Sequence, residues 1–187
     1  QKKILENNVS DPLRDQAYNG LSKRGKFLCD IHNFFELNNI AEVGTAEGFQ
    51  FFTFCDYIEK SKKGYKVYSC DIRDARNTEY IEKYDNIASF TLGTSREMSE
   101  KILSEGQKID MFWIDGDHRS AAVINDVIRM AKTQSDNCIW VFDDFNERFG
   151  AYQELKWLSG FGPSHQLSLG PTASGKPNNM LIFQGRF

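Results

Sequence analysis

Two uninterrupted apolar runs, residues 111–114 (MFWI) and 139–142 (IWVF), constrain this chain more than any other feature, because each stops directly on aspartate. A strand with no polar face must be covered on both sides, as the strands of parallel sheets are. Between the runs, residues 120–132 place Val123, Val127, Ile128 and Ala131 on one helical stripe. Strand, helix and strand joined by short links make a crossover unit with parallel strands. Such sheets bind ligands at the carboxyl ends of their strands, so the aspartates stand where chemistry is expected.

The same alternation runs through most of the 187 residues. Residues 26–37 space Phe27, Leu28, Ile31, Phe34 and Phe35 as a helix, and 40–43 form a short strand ended by Gly44. Residues 48–60 are helical, with Phe51, Phe54, Cys55 and Ile58 on one face and Gly64 as the stop. A strand over 65–70 ends at Asp71, and Asn77 caps a short helix reaching 84. Residues 88–92 are the third strand. Thr94-Ser95-Arg96-Glu97 then forms a capping box, its hydroxyl and carboxylate satisfying free donors of a helix that Gly106 closes. After the two apolar strands, 109–114 and 139–142, residues 147–158 read as the last helix, broken by Gly160, Gly162 and Pro163. Segments 165–169 and 180–184 form a closing strand pair, and the intervening GPTASGKPNN has the composition of a mobile loop. The pattern is α/β, a parallel sheet with helices on both faces in three layers. Residues 26–187 form one domain, with 1–25 as a lid or a tail.

Composition narrows the partners. Lys and Arg total 23 against 26 Asp and Glu, a net charge of −3. No basic excess is available to neutralise a phosphate backbone, which argues against nucleic acid. No apolar run approaches the ~20 residues that cross a bilayer, and the opening QKKILENNVS lacks the apolar core of a signal peptide. Cys29, Cys55, Cys70 and Cys138 form no CxxC pair and have apolar neighbours. They are expected as buried free thiols of a reducing compartment. The expectation is a cytoplasmic protein with a small-molecule partner and no membrane partner. A homo-oligomer is one option for its assembly.

Past the first strand comes Glu42-Val43-Gly44-Thr45-Ala46-Glu47-Gly48. The glycines permit a tight turn and close approach of a ligand, and the helix start offers free N–H groups. The spacing is GxxxG, with Ala46 where the dinucleotide fingerprint needs its second glycine. Asp71, ending the second strand, can accept hydrogen bonds from both hydroxyls of a ribose. Taken alone, it would be an ordinary turn aspartate. Asp115-Gly116-Asp117-His118 follows the fourth strand, and Asp143-Asp144 the fifth. If those strands are neighbours their ends lie ~5 Å apart, and Asp115, Asp143 and Asp144 can converge. Three close carboxylates repel unless a cation or protons intervene. Oxygen-only donors suit Mg²⁺, with Mn²⁺ or Ca²⁺ as substitutes. The competing role is capping of the helices that follow, which is the plain reading for Asp117. His118 is a candidate general base, since imidazole titrates near neutral pH, and Asp117 is its rival. His32, inside an apolar helix, reads as structural, and His165 has no evident partner.

EVGTAEG, the acid closing VYSCD, IDMFWIDGDHRSAAVINDV and IWVFDDF together resemble class I S-adenosylmethionine-dependent methyltransferases. The nearer likeness is to the macrocin and catechol O-methyltransferase-like branch, and it spans roughly residues 22–184. It implies a doubly wound, Rossmann-like sheet of seven strands, mostly parallel, with the last antiparallel. It also implies S-adenosylmethionine as cofactor. Glu42 and Gly44 would shape the methionine end, with Gln50 near its carboxylate, and Gly48 would also contact the cofactor. Asp71 would bind the ribose, and Ser95 and Arg96 would lie by the adenine. Asp115, at the join with the cofactor, would hold a divalent ion with Asp143 and Asp144. The catechol branch has a lysine base where His118 stands and Asp-Asn where Asp143-Asp144 stands. Those departures lean toward a sugar or natural-product hydroxyl.

The chemistry expected is O-methylation. A metal lowers the pKa of the acceptor hydroxyl and fixes its direction, His118 takes the proton, and a vicinal diol chelates best. Three rivals use the same residues: a metal-dependent hydrolase, which leaves the glycine turn and Asp71 unexplained; a nicotinamide oxidoreductase, against which Ala46 speaks; and a binding module without catalysis. A methyltransferase that needs no metal is a variant of the main reading.

Overall fold

The computed structural model describes residues 21–171, 175 and 177–187. Whether residues 1–20 form a lid or a tail, and the mobility expected of 172–174 and 176, lie outside the described residues. The strands are β1 (Ile40–Val43), β2 (Val67–Asp71), β3 (Ala88–Leu92), β4 (Ile109–Ile114), β5 (Gln134–Phe142), β6 (Ser164–Ser168) and β7 (Asn179–Gln184). They form one seven-stranded sheet in the order β3-β2-β1-β4-β5-β7-β6. Only β7 is reversed, pairing antiparallel with β5 and β6. The doubly wound arrangement expected from the sequence is therefore present, with its order reversal between β1 and β4.

Helices α1 (Leu21–Phe34), α2 (Phe49–Ser61) and α3 (Thr78–Lys83) cover one face, and α4 (Ser95–Ser104), α5 (Ser120–Met130) and α6 (Tyr152–Leu158) the other. Alternation along the central strands sorts the core. Met111, Trp113, Ile139 and Val141 join Leu28, Phe51, Phe54 and Tyr84 on the first face. Phe112, Trp140 and Phe142 join Met98, Val127 and Leu155 on the second. Trp113 and Trp140 are fully buried, and Phe112 stacks on Trp140 with ring centres 3.8 Å apart. The four cysteines are free and buried, as their neighbours suggested.

Several boundaries differ from the sequence pattern, each for a local reason. α1 begins at Leu21, so a domain edge at 25/26 would cut a helix. Phe34 is exposed instead of inward, because α1 ends there and the chain turns away through Glu36 at φ 52°. Ile128 is also exposed, on the flank of α5. β5 starts at Gln134, five residues early, across a register shift opposite Ile109 and Met111. α6 starts at Tyr152, not 147: the Asn146 side chain accepts from the Arg148 N–H at 3.1 Å, and its carbonyl accepts from Phe149. That local turn competes with helix. No helix among the described residues is long and apolar enough to cross a membrane.

Candidate active site

The strand ends are tied level by backbone bonds that run past the strands. Gly44 N–H donates to Cys70, Asp115 N–H to Val43, and Asp143 N–H to Ile114, at 2.9–3.0 Å. Gly44 sits at φ 94°, and a Cβ there would lie 2.3 Å from the Asp115 carbonyl oxygen. This glycine is therefore required by the neighbouring β4 loop, whatever it does for a ligand. Ala46, at φ 46°, donates its N–H to Asp71 Oδ2 at 2.9 Å, and Arg73 N–H donates to Oδ1 at 3.1 Å. The glycine turn and Asp71 thus meet at the ends of β1 and β2. Beneath them the Thr45 hydroxyl donates to Ser69 (2.5 Å), and Ser69 to Glu42 Oε2 (2.6 Å). Burial pushes the Glu42 carboxyl up to about 8, against the Ser69 hydrogen bond that pulls it down. Gln50 is buried at the start of α2, and its Nε2 has no partner among the described residues.

Ser95 is buried against α5, donating to Asp126 Oδ1 at 2.5 Å, with Arg129 3.4 Å from its hydroxyl. Its hydroxyl ties α4 to α5. Arg96 is exposed beside it, on the rim of a cleft between those helices with Leu103, Ile128 and Lys132.

The β4 and β5 ends carry the other half. Asp117 is exposed and turned back on its own loop, accepting from the Arg119 N–H at 3.0 Å and from its guanidinium. Those hydrogen bonds hold its carboxyl below the ordinary range. The first residue outside α5 is Arg119, so Asp117 is not the helix cap. His118 Nε2 lies 3.3 Å from Asp144 Oδ2, and its ring packs on Phe149 with centres 4.8 Å apart. Its carbonyl accepts from the Ala151 N–H, which pins this loop to the start of α6. Asp144 holds a left-handed φ of 52°, a conformation aspartate tolerates better than most residues and one that clusters at functional sites.

The sequence pattern did not reveal Arg24. Its Nη1 lies 2.6 Å from Asp143 Oδ2 and 3.6 Å from Asp115 Oδ2, and Nη2 donates to Asn178 Oδ1 at 3.1 Å. Gly25 allows this: a Cβ there would be 3.1 Å from Thr53 Cγ2 and 3.4 Å from Gln50 Oε1, so α1 can lie close on α2. Withdrawal from water pushes both the Asp115 and the Asp143 carboxyl up. The charge of Asp143 adds to the rise at Asp115, and Arg24 pulls both back. The expected trio of metal ligands is not assembled. Asp115 and Asp143 share a guanidinium, and Asp144 faces His118. Among the described residues no group of three or more His, Cys, Asp or Glu is disposed to hold a metal ion.

Comparison with known proteins agrees with this fold. An O-methyltransferase, TomG from Streptomyces achromogenes, solved with S-adenosylmethionine and involved in tomaymycin synthesis, has a similar structure. It is 11% identical, with 96% of this chain and 92% of that chain covered at a TM-score of 0.72. A Klebsiella pneumoniae protein described only provisionally as an O-methyltransferase gives 15%, 97%, 94% and 0.72 for the same measures. An O-methyltransferase from Bacillus cereus, solved with S-adenosylhomocysteine, gives 16%, 98%, 85% and 0.67. At such identities the likeness concerns the fold. No curated protein matches the sequence. The family model described as a methyltransferase domain matches residues 41–145, which run from β1 through the glycine turn and Asp71 to the Asp143-Asp144 pair. The chain belongs to that methyltransferase family and is built on the class I S-adenosylmethionine-dependent fold.

Proposed function

We propose that this protein transfers the methyl group of S-adenosylmethionine to a hydroxyl oxygen of a sugar or small natural product. The observation that carries the reading is the His118–Asp144 pair at the same sheet edge as the glycine turn and Asp71. β2, β1, β4 and β5 are successive neighbours, so Asp71 and the pair stand about three strand spacings, roughly 14 Å, apart. A nucleoside held by Asp71 would extend its methionine arm toward the β4 end. The Gln50 Nε2, buried without a partner among the described residues, suits that arm's carboxylate. Asp71 keeps acceptor capacity for ribose hydroxyls, since each of its oxygens takes a single hydrogen bond from the turn.

In the reaction the acceptor oxygen attacks the sulfonium methyl carbon in line. The new O–C bond forms as the S–C bond breaks, and its electron pair stays on sulfur as the thioether. His118 takes the hydroxyl proton. The Asp144 carboxylate, 3.3 Å from Nε2, would attract the positive charge of the imidazolium that follows. Asp117, engaged with Arg119, is left out of this role. A divalent ion would lower the pKa of the hydroxyl, but the carboxylates do not fit one as they stand, and no step here passes through a metal. The preference for a vicinal diol rested on chelation and lapses with it.

The test is transfer of labelled methyl from S-adenosylmethionine to a panel of sugars and hydroxylated small molecules, with amine and thiol acceptors alongside. Methyl ether products are expected. Methylation confined to nitrogen or sulfur would overturn the O-methyltransferase reading.

A further inference from the structure

Arg24 is an unusual group to find at this edge. It reaches in from α1, more than ninety residues before the nearer of its two aspartates, and its side chain is largely buried, as is that of Asp143. The ion pair is incompletely satisfied: Arg24 Nε and Asp143 Oδ1 are buried without partners among the described residues. A buried pair with unmet hydrogen bonds is a poor source of stability, so its location at two strand ends calls for another account. Its surroundings are built to hold it. Asn178 takes Nη2, Gly25 lets the helix down onto α2, and the guanidinium carbon lies 5.5 Å from the centre of the Trp113 ring. Two carboxylates at adjoining strand ends repel unless a cation or a proton intervenes, and here Nη1 of the guanidinium stands 2.6 Å from one and 3.6 Å from the other.

We propose that Arg24 is the resident cation of the acceptor end, sitting on Asp115 and Asp143 where a divalent ion would otherwise bind, so that such an ion enters only when Arg24 leaves. The inference rests on the methyltransferase reading for the identity of that end. Nη1 sits at 2.6 Å on Asp143 Oδ2. Asp144, the remaining oxygen donor, is directed to His118. Arg24 therefore acts as a positioning residue, holding the two carboxylates apart from the proton chemistry of His118 and Asp144.

Manganese alone is the probe. The full chain is titrated with Mn²⁺ and followed by electron paramagnetic resonance, as wild type, Arg24→Gln and Arg24→Lys. Arg24→Gln is expected to bind one Mn²⁺ about tenfold or more tighter than wild type, the usual size of such a coupling, with Arg24→Lys closer to wild type. Tight stoichiometric Mn²⁺ binding by the wild type, or absence of binding by a folded Arg24→Gln, overturns the proposal. The wild-type titration decides alone if the glutamine variant does not fold. S-Adenosylmethionine titrated into the same samples keeps the two claims apart. Failure of the wild type to bind it removes the methyltransferase reading, while the order of Mn²⁺ affinities still tests Arg24.

Discussion

The two halves of the sheet edge are built differently. At the β1/β2 end, the turn, Asp71 and the Thr45-Ser69-Glu42 chain lie within thirty residues of sequence, and Asp71 is held by two backbone N–H groups. At the β4/β5 end, Asp115, His118, Asp143 and Asp144 are joined by Arg24 from α1 and Asn178 from the approach to β7. The first half is set by local backbone geometry. The second depends on tertiary packing, and each half keeps a buried polar atom without a partner among the described residues, Gln50 Nε2 in the first and Asp143 Oδ1 in the second. Within one fold, the first arrangement suits a cofactor common to a family and the second an acceptor particular to one member.

The largest effect is expected at His118, in the second half. His118→Ala is expected to lower kcat by ~10² to 10⁴, the usual worth of a positioned base, with S-adenosylmethionine affinity little changed. Asp117→Asn should leave kcat nearly intact. Steady-state rates for the two variants test this, and the reverse ranking would make Asp117 the base.

A smaller effect sharpens the description of the other half. The folded-state pKa of Glu42 is pushed up to about 8 by burial, whereas an unfolded-chain glutamate titrates near its ordinary value. Between those values the folded state holds a proton that the unfolded chain has released, so the contribution of Glu42 to stability is full at acid pH and is lost as pH rises toward 8. Glu42→Gln keeps the hydrogen bond from Ser69 and removes the titration. Urea unfolding at pH 5 and pH 8.5 should show a smaller loss of stability in the variant than in wild type. Equal losses would mean that Glu42 is ionised in the fold.

The same division explains what the sequence disclosed. The sheet was legible because apolar runs as short as 111–114 and 139–142, set between helical stripes, suit covered strands, and because Asn77 and the Thr94–Glu97 box mark helix starts that the structure keeps. Asp71 beside the glycine turn was legible because both sit at strand ends. Arg24 was not, since a single basic residue on a helix has no spacing to betray which carboxylates it will meet. The convergence of Asp115, Asp143 and Asp144 on one ion was a fair inference from adjacent strand ends. That spacing carries no sign of the left-handed turn at Asp144, φ 52°, or of Gly25, the small residue that lets α1 lie close on α2. Ser95 shows the same limit: its position after β3 was readable, its engagement with Asp126 of α5 was not.

On this reading S-adenosylmethionine lies across the Gly44–Gly48 turn with its ribose on Asp71. Calorimetric titration of wild type and Asp71→Ala with S-adenosylmethionine tests it most directly. Each lost charge-assisted hydrogen bond is worth about 1.5 to 3 kcal/mol, so affinity should fall at least about tenfold in a variant that remains folded. Equal affinity in the two proteins would remove Asp71 from the site and contradict the account.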